Sequence, residues 1–323
     1  MTNDYWLPDE ATLKCGLNAL FCEQISSKDC IKILERCANI YTSTFSSEIV
    51  TCQQSDGKKL ELLLKYGRPG VHAGDVNRGS TDFEAVVYQE VLGSLALSAV
   101  TSYGAYNDDA NGYTWLVLEY LSEALRLTRA PEQALCWSAH WLGQFHALNE
   151  KRLGDQSLPK LISHTADYYL GWARRTQTFS RPLHDQYPWL PTLCQQFETR
   201  VSLLVTEPQT IIHGEYYPMN ILIEGEKVYP IDWQSVAIAR GELDLASLIE
   251  GWGHGELVQQ SIETYSQVRW GDNVPANFHD VLALAQVFWP LRWLGEKPEH
   301  TLNPQNQAHF EYLREAGQRA GFI

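Results

Sequence analysis

Apolar positions along this chain recur with two periods, and the changes of period outline its elements. Residues 1–35 read as amphipathic and helical, with Ile25-Ser26-Ser27-Lys28-Asp29 as a break and N-cap before a helical Cys30–Cys37. A period of two follows over Ser47–Cys52 and again over Lys59–Lys65, with Asp56-Gly57 between them. Asp-Gly between two such runs predicts a β-hairpin, here one that ends on Lys65. The helical period returns over Thr81–Leu92. Trp115–Leu121 is an apolar strand ending on polar residues, and Pro131–Asn149 is a helix with Leu135, Trp141, Leu142, Phe145 and Leu148 at helical spacing. Residues 160–205 and 245–323 read mainly as helices. Two short apolar strands, Asn220–Ile223 and Val228–Ile231, flank a turn at Glu224–Lys227.

That last hairpin sits in the segment with the most chemistry. His213-Gly214-Glu215 precedes it, Asn220 opens its first strand, and Asp232 follows its second. A hairpin brings positions 220 and 232 to the same end of neighbouring strands. Asn220 offers a neutral oxygen and Asp232 an anionic one, the donor types that magnesium prefers when it shares its coordination with substrate phosphates. Glu215 lies in the loop just before, where a hydroxyl could approach, and Pro218 stiffens that loop by fixing its φ. A carboxylate, an amide and a second carboxylate in this order form the layout of phosphoryl transfer in kinase-like enzymes.

At these residues the chain resembles the aminoglycoside phosphotransferase and choline kinase-like group of small-molecule kinases. The group's His-Gly-Asp-x-x-x-x-Asn and Ile-Asp-x motifs appear as His213-Gly214-Glu215-x-x-x-x-Asn220 and Ile231-Asp232-Trp233, with Glu replacing Asp at 215. Gly241-Glu242-Leu243-Asp244-Leu245-Ala246 resembles the group's Gly-x-x-x-Asp-Leu-Ala, and Leu142–Leu148 its Leu-x-x-Leu-His-x-Leu helix, which makes His146 a packing residue. The resemblance implies an α+β, bilobal protein kinase-like fold with a small antiparallel β-sheet N-lobe and a larger, mostly helical C-lobe. The expected divisions are a helical lead-in at 1–35, an N-lobe at 36–120 and a C-lobe at 121–323.

The resemblance also assigns roles. Glu215 would orient or deprotonate the acceptor, His213 shape the catalytic loop and Asp244 brace it. Asn220 and Asp232 would hold Mg2+. Lys65, paired with Glu84 or failing that Glu90, would position the phosphates of ATP or GTP, and the backbone around Glu119, Tyr120 and Leu121 would meet the purine edge. No Gly-x-Gly-x-x-Gly loop precedes the first hairpin strand; Tyr41–Ser47 stands there, and Ser43 and Thr44 are either phosphate donors or an ordinary polar turn. The acceptor would be a small-molecule hydroxyl: an aminoglycoside, amino alcohol, sugar or natural-product intermediate, or a peptide. The glutamate at 215 and the missing glycine loop keep open a nucleotide-binding pseudokinase with a scaffold or sensor role.

Composition adds bounds. With 323 residues the chain is long enough for two lobes with cores of their own. Its net charge of −14, without a basic stripe, argues against a nucleic-acid partner and tilts slightly toward a cationic acceptor. No apolar run reaches membrane-spanning length, and the polar start Met1-Thr2-Asn3-Asp4 is unlike a signal peptide, so a cytoplasmic protein without a membrane partner is expected. The seven cysteines lack metal-ligand spacing and read as small buried apolar side chains rather than disulfide partners. Most of the eleven tryptophans lie after residue 130; Trp172, Trp189, Trp252, Trp289 and Trp293 are candidates for a cation cage or sugar-stacking wall as well as for the core, and Trp233 for positioning Asp232. Oligomeric state is not legible.

Overall fold

The amphipathic lead-in forms helix α1 over Glu10–Cys22, and the chain next enters strand β1, Ile31–Ala38, in this computed structural model. The structure describes residues 6–22, 30–40, 45–68 and 78–323. Within 1–35 the helical reading therefore holds over Glu10–Cys22, and the expected break and N-cap at Ile25–Asp29 lies outside the described residues. Cys30–Cys37 was expected to be helical from its spacing, but Ile31 is buried, Lys32 exposed and Ile33 half-buried, and that alternation suits a strand. The cysteine reading is corrected too. Cys22 and Cys30 form a disulfide across a Cα–Cα distance of 5.9 Å, and Asn18 Oδ1 beside it accepts the amides of Cys30 and Ile31 at 3.2 and 3.0 Å. Cys52, Cys136 and Cys194 are buried free thiols, as expected, whereas Cys15 and Cys37 are exposed.

Strands β2 (Ser46–Gln54) and β3 (Lys59–Gly67) form the predicted hairpin. Gly57 takes φ of +90° at its turn, a conformation that favours glycine, and the Lys58 amide donates to Asp56 Oδ1 at 2.9 Å. Helix α2 (Thr81–Val86) runs into a π-helical turn at Val87–Leu92, and β4 (Ser102–Asp108) and β5 (Tyr113–Glu119) complete an antiparallel sheet of order β1-β2-β3-β5-β4. One face of this sheet is a core: Leu60, Leu62, Leu64 and Tyr66 of β3 join Val50, Cys52, Trp115 and Val117 under Leu13 and Leu17 of α1. Because side chains alternate along a strand, Lys65 points to the opposite face.

The remaining elements are β6 (Leu125–Arg126), α3 (Ala134–Glu150), β7 (Ile162–Ser163), α4 (Ala166–Phe179), α5 (Leu190–Arg200), β8 (Thr210–Ile212), β9 (Ile221–Glu224), β10 (Lys227–Pro230), β11 (Ala237–Ala239), α6 (Glu242–Ile249), α7 (Glu256–Trp270), α8 (Phe278–Leu294), α9 (Pro298–Leu302) and α10 (Gln307–Arg319). The chain divides into two compact units. One holds Met1–Leu125, Ser157–Pro159 and Leu222–Ser235; the other holds Arg126–Gln156, Lys160–Ile221 and Val236–Ile323. In the second unit α3 packs on α7, and α8 packs against α4, α6 and α10. Helix α8 is apolar on nearly every face, as a helix surrounded by others must be, yet it carries the buried Arg292. Among the described residues no helix is long and apolar enough to cross a membrane.

Candidate active site

Three of the expected residues meet within the first unit. Lys65 Nζ donates to Glu84 Oε1 and Oε2 at 2.9 and 3.1 Å and to Asp232 Oδ1 at 2.9 Å. Glu84 rather than Glu90 is thus the lysine's partner. It is fully buried and also accepts the Trp233 amide at 3.2 Å. Burial works against the ammonium charge, but Asp232 and Glu84 outweigh it and raise the Lys65 pKa above the ordinary lysine value. Asp232 adopts φ of 70°, the positive φ of a non-glycine residue among the described positions, and follows β10 directly through Ile231. Trp233 anchors that turn, its indole donating to the Pro230 carbonyl at 3.0 Å. Gln234, not singled out in the sequence, donates to Asp232 Oδ1 at 2.8 Å and to Glu84 Oε2 at 3.4 Å.

The second unit gathers the other group. After β8 the chain enters the loop of His213, Gly214 and Glu215, and Asp244 near the start of α6 fastens it. Asp244 Oδ2 accepts the His213 amide at 2.6 Å and Oδ1 the Gly214 amide at 2.9 Å. Gly214 has φ of +81°, and His213 Nδ1 accepts the Glu215 amide at 3.2 Å, which closes the turn. Asn220 Nδ2 donates to the Glu215 carbonyl at 3.2 Å. That bond spends the amide's donor side on the loop and leaves its oxygen to another partner.

Behind Asp244 runs a buried relay. His146 Nε2 lies 3.2 Å from Asp244 Oδ2 and its Nδ1 lies 2.9 Å from the Tyr265 hydroxyl. Burial lowers the His146 pKa. A carboxylate only accepts, so the neutral ring carries its proton on Nε2 and accepts from Tyr265 on Nδ1. Tyr265 in turn accepts from Arg269 Nη1 at 2.6 Å, and Arg269 pairs with Glu150 at 2.9 Å. His146 is a packing and hydrogen-bonding residue, as its position on α3 predicts. Gly241 has no room for a side chain: an added Cβ would lie 2.4 Å from Arg269 Nη1 and 2.6 Å from both His146 Nδ1 and the Tyr265 hydroxyl.

Glu215 is 3% exposed and paired. Its Oε1 accepts from Arg292 Nη2 at 2.7 Å. Burial opposes the guanidinium charge and Glu215 more than restores it, so the Arg292 pKa lies above the usual value. Sequence reading missed Arg292 because 77 positions separate it from Glu215 and no local motif marks it. The remaining expectations divide. Ser43 and Thr44 lie outside the described residues. Glu119, Tyr120 and Leu121 follow from the end of β5, where the amides of Glu119 and Tyr120 donate to the Thr101 and Glu61 carbonyls at 2.8 Å each. Among the described residues no cluster of three or more His, Cys, Asp or Glu side chains could cage a metal ion.

These features match known proteins. The family model described as phosphotransferase enzyme family matches residues 63–272. No curated protein matches the sequence. Among solved structures, choline kinase LicA from Streptococcus pneumoniae is 14% identical with a TM-score of 0.61, over 97% of this chain and 99% of that one. Wild-type aminoglycoside 2'-phosphotransferase-IIIa in its GDP complex is 12% identical with a TM-score of 0.63, over 97% and 99%. Amicoumacin kinase hAmiN, in complex with AMP-PNP, Ca2+ and Ami, is 12% identical with a TM-score of 0.57, over 97% and 94%. The α+β kinase-like fold, with its antiparallel five-stranded sheet and helical C-terminal half, is thereby established.

Proposed function

The chain belongs to the phosphotransferase enzyme family, and from that premise we propose that it transfers the γ-phosphoryl group of ATP or GTP to a hydroxyl of a small molecule. The observation that carries the reading is the Lys65–Glu84–Asp232 cluster. A lysine held charged by two carboxylates, one of them on a strained residue, would bind polyphosphate. In the other unit Asp244 fixes the loop amides and so fixes Glu215, whose carboxylate would orient the acceptor hydroxyl. Phosphoryl transfer passes through a loose transition state with little proton removal, so orientation matters more than basicity. A glutamate in an ion pair can serve that purpose, since a carboxylate has about four lone-pair sites.

Magnesium is the ion we infer for this reaction. In the first unit Asp232, its side chain 30% exposed, would offer it an anionic oxygen; in the second, Asn220 turns its NH2 to the Glu215 carbonyl and keeps an amide oxygen as acceptor. Oxygen donors shared with phosphates suit this ion, which when bound neutralises charge on the phosphate oxygens. The cytoplasm is the proposed location.

The test is nucleotide consumption with magnesium across an acceptor panel. Asp232→Ala should lose at least about a hundredfold in rate, the scale of losing a charge-stabilising group, and Lys65→Met should weaken nucleotide binding. Full rate in Asp232→Ala would sink the assignment. One observation favours a second reading, a nucleotide-binding protein that transfers nothing: Glu215 is already committed to Arg292. Nucleotide binding that depends on Lys65, with no acceptor turned over, would support it.

A further inference from the structure

Three of the five tryptophans marked as cage candidates do surround a cation, and it is the protein's own. The Arg292 guanidinium carbon lies 5.5, 5.4 and 5.5 Å from the ring centroids of Trp172, Trp289 and Trp293. Glu215 supplies the anionic wall at 2.7 Å, and the Tyr168 hydroxyl also interacts with the guanidinium. Glu296 adds a further negative charge nearby. His164 stacks on Tyr168 at 3.9 Å and stays neutral, since burial and the Arg292 charge push its pKa down to about 3. The cage walls are held independently of the arginine: the Trp289 indole donates to the Leu243 carbonyl at 2.6 Å, and Arg175 packs on Trp172 at 5.0 Å.

Aromatic faces around a carboxylate are the recognition chemistry of an organic cation, alkylammonium or guanidinium. Here α8 delivers one from within, and only 7% of Arg292 is exposed. We propose that Trp172, Trp289, Trp293 and Glu215 form a cation site with Arg292 as its resident, and that Arg292 is a specificity-determining residue excluding acceptors that carry a positive charge beside the reacting hydroxyl. A second cation at Glu215 would have to displace a buried guanidinium from its ion pair and would be repelled by it. The acceptor is therefore a hydroxyl compound that is uncharged or anionic near that hydroxyl, which runs against the tilt suggested by the acidic net charge. Arg292, Trp289 and Trp293 all lie beyond residue 272, outside the segment the family model matches. The exclusion of acceptors rests on the phosphotransfer reading; the occupancy of the cage does not.

The test needs no nucleotide and no turnover, so it stands or falls apart from that reading. Tryptophan fluorescence and calorimetry would follow titration with tetramethylammonium and with guanidinium at matched ionic strength. Wild type should bind neither. Arg292→Ala should bind guanidinium saturably, with Kd on the order of 1–10 mM, an affinity suited to a small probe refilling a cavity. Arg292→Met, which fills the cage without charge, should not bind it, and Glu215→Gln in the Arg292→Ala background should weaken it at least about tenfold, one decade being a modest share for a charged wall. Arg292→Lys keeps a resident cation and should stay closed to tetramethylammonium. Saturable tetramethylammonium binding by wild type or Arg292→Lys overturns the proposal. So does a folded Arg292→Ala that ignores guanidinium. Should Arg292→Ala not fold, the wild-type and Arg292→Lys titrations decide.

Discussion

Glu215 is one methylene longer than the aspartate its motif resembles, and that methylene ends on Arg292. Both side chains are buried, so removing one partner strands a charge. Glu215→Gln and Arg292→Met are each expected to lower stability by about 3–5 kcal/mol, while the double variant recovers much of the loss. Denaturant unfolding of the four proteins checks this; additive losses would mean the pair is not coupled. A second prediction concerns Glu250, at the end of α6. Its Oε1 is buried without a hydrogen-bond partner among the described residues, and burial raises the carboxyl pKa from 4.5 to about 7. The folded state then binds more protons than the unfolded state between those values. This group's contribution therefore falls as pH rises through that window, by about 3 kcal/mol in all. Glu250→Gln should remove the fall, seen as a smaller difference between unfolding midpoints at pH 5 and pH 8 than in wild type. His164 acts with the opposite sign. Its ring stays neutral while the unfolded one protonates, so stability is lost as pH drops below about 6.5, and His164→Gln should soften that loss. Residues close to a motif were readable in the sequence: Lys65 lies near the end of a hairpin strand, and Asp244 sits in a recognisable run. Arg292 and the relay through Tyr265 and Arg269 were not, because only tertiary packing brings them to the loop.

At the scale of elements, local pattern served well where a turn residue or a clear period marked the ends. The β2–β3 hairpin around Gly57, the β9–β10 hairpin, α2 and α3 fall where alternation and helical spacing place them. It failed at β1, where cysteines spaced at helical intervals masked a short alternating run that pairs with β2. The approach of α1 to the sheet was equally invisible. Gly16 faces Trp115, and an added Cβ would lie 2.3 Å from that ring and 2.9 Å from Tyr106. Glycine to alanine ordinarily favours a helix by about 1 kcal/mol. Here overpacking should outweigh that gain, and Gly16→Ala should destabilise by about 1–3 kcal/mol before the helical gain is subtracted. A raised melting temperature would contradict the packing of α1 on Trp115.

At the scale of the whole molecule, the matched family segment, 63–272, runs through both compact units. The Lys65 cluster belongs to one and the Glu215 loop to the other, so the proposed reaction assigns polyphosphate to the first and acceptor to the second. Family and fold follow from sequence, but the acceptor does not, because the helices that supply Trp172, Trp289, Arg292 and Trp293 carry no motif for it. The most direct measurement is transfer of a labelled γ-phosphoryl group from ATP or GTP, with magnesium, to uncharged and anionic hydroxyl compounds beside aminoglycosides and amino alcohols, wild type against Glu215→Ala. The account predicts label on an acceptor from the first set, and a loss of at least about a hundredfold in Glu215→Ala. Nucleotide bound by wild type with no label on any acceptor, or transfer unchanged in Glu215→Ala, would contradict it.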